Sequence, residues 1–272
     1  MNPLVSAWLK TPVGQRVCAL ERKYISDALA HVFGWQLLQI GHWGSAQEGD
    51  DGLLVESRTQ QKSVVARQLD SFTPSVGVTA NGSRPARIVS RIDALGIASD
   101  SVDAVLLPHT LEQEPDPHVV LREVERILMG DGQLIVLGFR PASFWGLRHL
   151  LARHGYPPGA ERLISEWRVR DWLKLLGFEV VDAQRFLFTG PWGQAAPGSQ
   201  RFFEIVGKRA WPFLAGAYLL KARKRVYSVT PVRLTWRTRT GVVGGLVEPA
   251  ASRIGPSAKL LGSDSASSSD SN

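Results

Sequence analysis

The stretch SDSVDAVLLPHTLEQEPDPHVVLREVERILMGDGQLIVLGF, residues 99–139, decides the fold. Its first part, VDAVLLP at 102–108, is a continuous apolar run of the kind found in a parallel strand covered on both faces. A helix is expected over 116–128. Asp116 stands at its N-cap and Pro117 at the first helical position, where a missing N–H costs nothing. Val120, Leu121, Val124, Ile127 and Leu128 recur at helical spacing as one apolar stripe. The GDG at 130–132 stops the helix, and QLIVLGF at 133–139 is the next strand. Strand, helix and strand in this order make a βαβ unit.

Upstream, RVCALERKYISDALAHVFGW at 16–35 places Leu20, Tyr24, Ile25, Leu29, Val32 and Phe33 at helical spacing, with Gly34 as its stop. QLLQI at 36–40 is a short buried strand. GLLVES at 52–57 and KSVVAR at 62–67 each have strand character, FTPSVGVTANGSRP at 72–85 is turn-rich, and ARIVS at 86–90 is a further strand. Downstream, SFWGLRHLLARHG at 143–155 and SEWRVRDWLKLLGF at 165–178 predict helices, the second with Ser165 as N-cap and Gly177 as stop. FEVVDAQRFLF at 178–188 is a strand, SQRFFEIVGKRAW at 199–211 a helix, and GAYLLKARKR at 216–225 the last strand. The fold class is therefore α/β: a doubly wound, mostly parallel sheet with helices on both faces and a closing antiparallel hairpin.

With 272 residues, 44% of them hydrophobic, the chain suits one α/β domain of about 200 residues plus extensions. A single cysteine, Cys18, excludes an internal disulfide framework and a cysteine-rich metal site, as expected of a reducing, cytoplasmic setting. The six histidines, at 31, 42, 109, 118, 149 and 154, show no metal-ligand spacing. The start, MNPLVSAWLKTPVGQR, has no basic segment followed by a long apolar one, so no signal peptide is expected. AWPFLAGAYLL at 210–220 is far shorter than the roughly 20 residues that span a bilayer.

Charge is unevenly placed. Residues 208–272 hold 11 Lys/Arg against 3 Asp/Glu, while the first 207 hold 21 against 22. A nearly neutral body thus carries a basic appendage, which argues against a nucleic-acid surface spread over the whole fold. Within the appendage, KARKRVYSVTPVRLTWRTRTG at 221–241 interleaves cations with Tyr227 and Trp236. That pattern offers contacts to RNA phosphates and bases or to an anionic membrane surface; the plainer reading is a solubilising extension. GSDSASSSDSN at 262–272 has the composition of a disordered tail. The expected organisation is an N-terminal extension and helix at 1–35, a main domain at 36–226, and a basic, largely disordered tail at 227–272.

The segment IDALGIASDSVDAVLLPHTLEQEPDPHVVLREVERILMGDGQLIVLGF, 92–139, resembles the central part of class I S-adenosylmethionine-dependent methyltransferases of the small-molecule type. ALGIASDSVD at 94–103 is similar to the family's A-L-P-F-x-D-x-S-F-D, HTLE at 109–112 to its H-x-L-E turn, and 116–132 to its D-P-x-x-x-L-x-E-x-x-R-x-L-x-x-G-G helix and turn. YLLKARK at 218–224 is similar to its last strand. The resemblance covers about 35–225 and is strongest across 93–140. It extends to a divergent proteobacterial methyltransferase-like group with a reduced glycine loop. It implies a seven-stranded sheet with S-adenosyl-L-methionine lying across the carboxyl ends of the first, second and fourth strands, as open α/β sheets generally place ligands.

The resemblance also assigns residues. Gly41 matches the first glycine of the cofactor loop and Gly44 a later one, while Gln39 stands where the family has an acid; His42 and Trp43 add bulk. Glu56 is the candidate for the acid at the end of the second strand that grips the ribose, although no helix fits between it and the first strand. Asp93, next to Ala94, is the candidate for the adenine clamp, since Arg91 occupies the family's usual acid position. Pro108 and His109 fall where cofactor and acceptor meet, and His109 is the candidate general base. Phe144, Trp145 and Trp192 are candidates to face an apolar acceptor or to serve as ordinary packing. No P-loop, nucleophile elbow or H-E-x-x-H motif is present. Because the sulfonium methyl arrives activated, the enzyme mainly has to align a nucleophile and exclude water. The reading is a methyltransferase acting on a small-molecule acceptor by in-line transfer, with a catalytically inactive, partner-binding protein of the same fold as the alternative. It requires an opening at the ends of the first and fourth strands that Trp43 and Arg91 leave clear.

Overall fold

A computed structural model describes residues 3–41, 43, 53–54, 57–67, 85–153, 155–192 and 214–226. They belong to one compact unit, Met1–Ser228. Residues 229–272, His42, Gly44, Glu56 and the expected helix at 199–211 lie outside the described residues.

Two helices lead, α1 (Pro3–Leu9) and α2 (Pro12–Leu29), followed by β1 (Gln36–Ile40), β2 (Gln61–Ala66), β3 (Ala86–Val89) and β4 (Val102–Pro108). Then come α3 (Thr110–Gln113), α4 (Pro117–Ile127), β5 (Leu128–Phe139), α5 (Phe144–Leu151), α6 (Glu166–Leu175), β6 (Phe178–Phe186) and β7 (Ala217–Lys224). The seven strands form one sheet in the order β3-β2-β1-β4-β5-β7-β6. β3 to β5 pair in parallel, and β7 runs antiparallel between β5 and β6. The closing pair is antiparallel as expected, but residues 187–216 join it, so it is a long connection rather than a tight hairpin.

Both faces of the sheet are covered, which explains the continuous apolar strands. Side chains alternate along each strand. Leu37, Ala104, Leu106, Ile135, Leu137, Phe139 and Leu219 pack with α1, α2 and Trp145. Leu38, Ile40, Val105, Leu107, Leu134, Val136 and Leu220 pack with α4 and α6. The amino ends of the inner strands β1 and β4 are tied together at Asp103, whose carboxylate accepts from the backbone N–H groups of Trp35 and Gln36 at 2.9 and 2.8 Å.

α4 forms as its sequence predicts: the Asp116 carboxylate accepts from His118 and Val119 N–H, with Pro117 at the first position. α2 differs. It starts at Pro12 under a Thr11 cap and ends at Leu29, five residues short of the expected stop at Gly34. Its buried stripe is Val17, Cys18, Glu21, Tyr24, Ile25, Ala28 and Leu29; Phe33, expected inside, is exposed. Tyr24 stacks on Phe186 with ring centroids 4.5 Å apart, so α2 covers the sheet near β6. Residues 53–54 form a turn, and the second strand is Gln61–Ala66 alone.

Candidate functional site

The order of strands changes direction between β1 and β4, so successive crossovers leave to opposite faces and open a crevice at the carboxyl ends of these two strands. β1 delivers Gly41 there. Its φ of 89° lies in the left-handed region, and an added Cβ would stand 2.7 Å from Thr110 Oγ1. Thr110 in turn donates to Ile40 O at 2.5 Å, so only glycine lets the chain turn this tightly against β4. Gln39 is buried and donates through Nε2 to Gly41 O at 3.0 Å. It braces the turn by donating, a bond that an ionised carboxylate at this position could not make.

Two expected positions change meaning. β2 starts at Gln61 opposite Gln36, so Glu56 precedes the amino end of that strand and cannot mark its carboxyl end. The residue after the carboxyl end is Arg67, which forms an ion pair with Glu114. A guanidinium therefore stands where a ribose-gripping acid was expected. Asp93 does sit in the loop before β4, beside Ala94, which bridges back to Arg91. Its carboxylate is bound by Arg91 at 2.6 Å, and this hydrogen bond holds its pKa below the ordinary carboxylate value. Arg91 is exposed and Asp93 half-buried. α4 clamps the same loop from below: Glu123 accepts from Leu95 N–H, and Arg126 donates to the carbonyls of Leu95 and Ile97.

Pro108 ends β4 against Leu137, and His109 follows with φ 55° and ψ 17°. This left-handed residue throws its ring back under α2. Nε2 is 2.7 Å from Glu21 Oε1 and Nδ1 is 2.9 Å from Glu112 Oε2. All three side chains are at most 1% exposed. Burial alone would lower the His109 pKa, but the charge of Glu21 and the hydrogen bonds to Glu112 and Glu21 outweigh it and raise the pKa to about 9. Burial pushes the Glu112 carboxyl upward, and its other oxygen accepts from Phe139 N–H at 2.6 Å. His109 is thus an imidazolium at neutral pH with both nitrogens engaged. It has no free lone pair with which to deprotonate an acceptor, and the general-base role expected of it gives way to a positioning one.

What it positions is aromatic. Trp43 is buried, donates from Nε1 to Glu21 Oε2 at 2.7 Å, and lies 4.5 Å from the His109 ring. Phe139 stacks on His109 at 4.1 Å and meets Trp43 edge to face at 6.1 Å. Trp145 stacks on Phe139, and Trp8 and Tyr156 close the group. Trp43 therefore does fill space at the ends of β1 and β4, and the expectation that it leaves this opening clear fails on the α2 side. Trp145 belongs to this packing, whereas Phe144 and Trp192 are exposed and meet edge to face at 5.9 Å. A separate cleft of about 570 Å³ opens between the starts of α4 and α6, lined by Asp116, His118, Arg162, Arg168 and Trp172 among others. Neither Gly41 nor His109 lines it.

Sequence reasoning finds Gly41, Pro108 and His109 together, but misses Glu21 and Arg67. Glu21 carries a legible signal: an acid on the apolar stripe of α2, four residues after Val17 and four before Ile25. Arg67 carries none, because the boundary of β2 was misplaced.

A doubly wound sheet closed by β6 and β7, with a left-handed glycine at the end of β1, defines a Rossmann-like protein of the class I methyltransferase type. The matches agree. Residues 65–136 match the model of a methyltransferase domain. An uncharacterized protein of Escherichia coli (strain K12), YafS, is 33% identical over 213 residues, covering 78% of this chain and 77% of that protein. Among solved structures, a SAM-dependent methyltransferase of Thermotoga maritima superposes with a TM-score of 0.54 at 16% identity, over 83% of this chain and 100% of that one. The [4+2]-cyclase SpnF does so with a TM-score of 0.53 at 16% identity, over 79% and 83%. The chain belongs to the same family as YafS, and its residues 65–136 form a methyltransferase domain by their match. S-adenosylmethionine is the cofactor that such a domain implies. The turn at Gly41 fits that group, whereas among the described residues no carboxylate suited to its ribose stands at the end of β2.

Proposed function

We propose that the protein binds S-adenosyl-L-methionine in the crevice beyond β1 and transfers its methyl group in line to a small-molecule acceptor. The observation that carries this is Gly41: a left-handed glycine, pinned by Thr110 and Gln39, at the point where the winding of the sheet reverses. The cofactor brings an activated methyl group, so the protein needs no acid–base pair. Gly41 leaves room for close approach of the backbone. Asp93 and Ala94, in the loop before β4, would meet the adenine, with Arg91 releasing the Asp93 carboxylate. Pro108 and the ring packing behind it form the wall on the acceptor side. His109 keeps Trp43 and the β4 turn in place and takes no proton from the acceptor.

Trp43, Arg67 and Gln39 favour a second reading, in which the fold persists as a binding protein without turnover. Calorimetric titration with S-adenosylmethionine and with its demethylated product separates the two. Saturating heat well below about millimolar ligand is expected. Absence of heat at that concentration removes the enzyme reading and leaves the second. The cytoplasmic setting and contact of the basic tail with nucleic acid belong to the same proposal. Salt-sensitive RNA binding that disappears on truncation after Tyr227 tests the latter.

A further inference from the structure

α5 is inverted relative to an ordinary surface helix. Its inward positions are Trp145 and Gly146, and every exposed position is apolar: Phe144, Leu147, Leu150 and Leu151 are 42%, 47%, 81% and 75% exposed. At 100° per residue these four fall within one arc of roughly a third of the helix. Trp192, 52% exposed, extends the patch through its edge contact with Phe144. Soluble proteins seldom leave so many large apolar side chains together in water.

The surroundings identify what would cover it. Three stretches meet at Trp145: Trp8 of the leading segment packs on its ring edge to face, its own segment follows β5, and its Nε1 donates to Thr189 O. The described parts of these stretches, 3–20, 132–153, 155–160 and 183–192, contain six Lys/Arg and not one Asp or Glu, although Arg185 is paired with Glu166 of α6. The rest of the chain up to residue 207 holds 15 Lys/Arg against 22 Asp/Glu. The segments that meet at Trp145 thus carry net positive charge in a body that is otherwise net negative. Arg148 sits at the flank of the exposed arc over the Tyr156 ring at 4.3 Å, and Arg153 follows the end of the helix, exposed. An apolar arc bordered by arginines, with no carboxylate in the segments that build it, matches an anionic bilayer: acyl chains take Leu and Phe, and headgroup phosphates take Arg. No helix among the described residues is long and apolar enough to cross a membrane, so the attachment would be to its surface.

We propose that the face of α5, with Trp192, Arg148 and Arg153, docks the protein onto an anionic lipid surface. Four residues separate the helix from the carboxyl end of β5, so docking brings that end of the sheet toward the membrane.

The test is co-sedimentation of the full chain with vesicles of phosphatidylcholine alone and of phosphatidylcholine with phosphatidylglycerol. Binding is expected to the mixed vesicles, to weaken with salt, and to fall at least about tenfold in a Leu147→Gln/Leu150→Gln/Leu151→Gln variant whose melting temperature matches the parent. Binding by the intact chain that survives this variant but is lost on truncation after Tyr227 would assign it to the tail and overturn the proposal. No binding to either vesicle overturns it as well. So does a concentration-dependent dimer that the triple variant dissolves while vesicles are ignored, since a second copy would then be the occupant. None of these outcomes depends on cofactor binding or turnover.

Discussion

Individual residues carry the conflict between family likeness and local chemistry. Gly41 keeps the geometry of a cofactor turn, because a Cβ there would both adopt a φ of 89° and press on Thr110. Gly41→Ala is therefore expected to cost about 1–3 kcal/mol in chemical denaturation and to weaken any S-adenosylmethionine binding measured in parallel. His109 keeps its place in the family's turn but is spent on structure. Replacing it with Leu leaves Glu21 and Glu112 facing each other at 0–1% exposure with no cation between them. A loss of about 3–5 kcal/mol is expected by urea denaturation, partly restored when Glu21→Gln and Glu112→Gln are added. If His109 were an idle surface-like residue, the single change would leave stability within about 0.5 kcal/mol of the parent.

The elements formed where short-range signals were strong. α4 has a capping acid, a proline at its first position and a stripe of spaced aliphatics, and its bounds match the sequence reading to within a residue. Asp116→Ala should lower the melting temperature by the equivalent of about 1 kcal/mol, seen by circular dichroism, because two N–H groups lose their acceptor. α6 gives a contrast: Ser165 occupies the cap position but its side chain makes no capping hydrogen bond, so Ser165→Ala should cost less than the change at Asp116. Reading failed at α2 and β2. The 3.6-residue period could be laid on Leu20 and Phe33 as easily as on Val17 and Cys18, and only packing against β7 and Phe186 selects the latter. GLLVES resembled a strand as well as KSVVAR did, and pairing with β1 chose between them.

At the scale of the molecule the buried cluster links pH to folding. His109 has a folded pKa of about 9 against an ordinary value of 6.5, so its stabilisation is complete below 6.5 and is lost as pH rises through 9. The shift corresponds to about 3 kcal/mol. Glu112, also raised, acts with the same sign, its contribution present at low pH and lost upward. Thermal melts between pH 6 and 9 should show a declining midpoint that flattens in the His109→Leu variant; a midpoint independent of pH would show that the imidazolium is not buried between carboxylates. The compact unit ends at Ser228, so truncation there should leave the melting temperature of the remainder unchanged. The sequence alone determined the architecture, because continuous apolar runs, one well-capped helix and their spacing admit only a covered parallel sheet, and those are local properties of neighbouring residues. The tertiary structure decided the chemistry of the edge: it brought Glu21 across 88 residues to His109, set Arg67 at the end of β2 and turned the apolar side of α5 outward. Such pairings depend on which faces of distant elements meet, and no periodicity within one element records that.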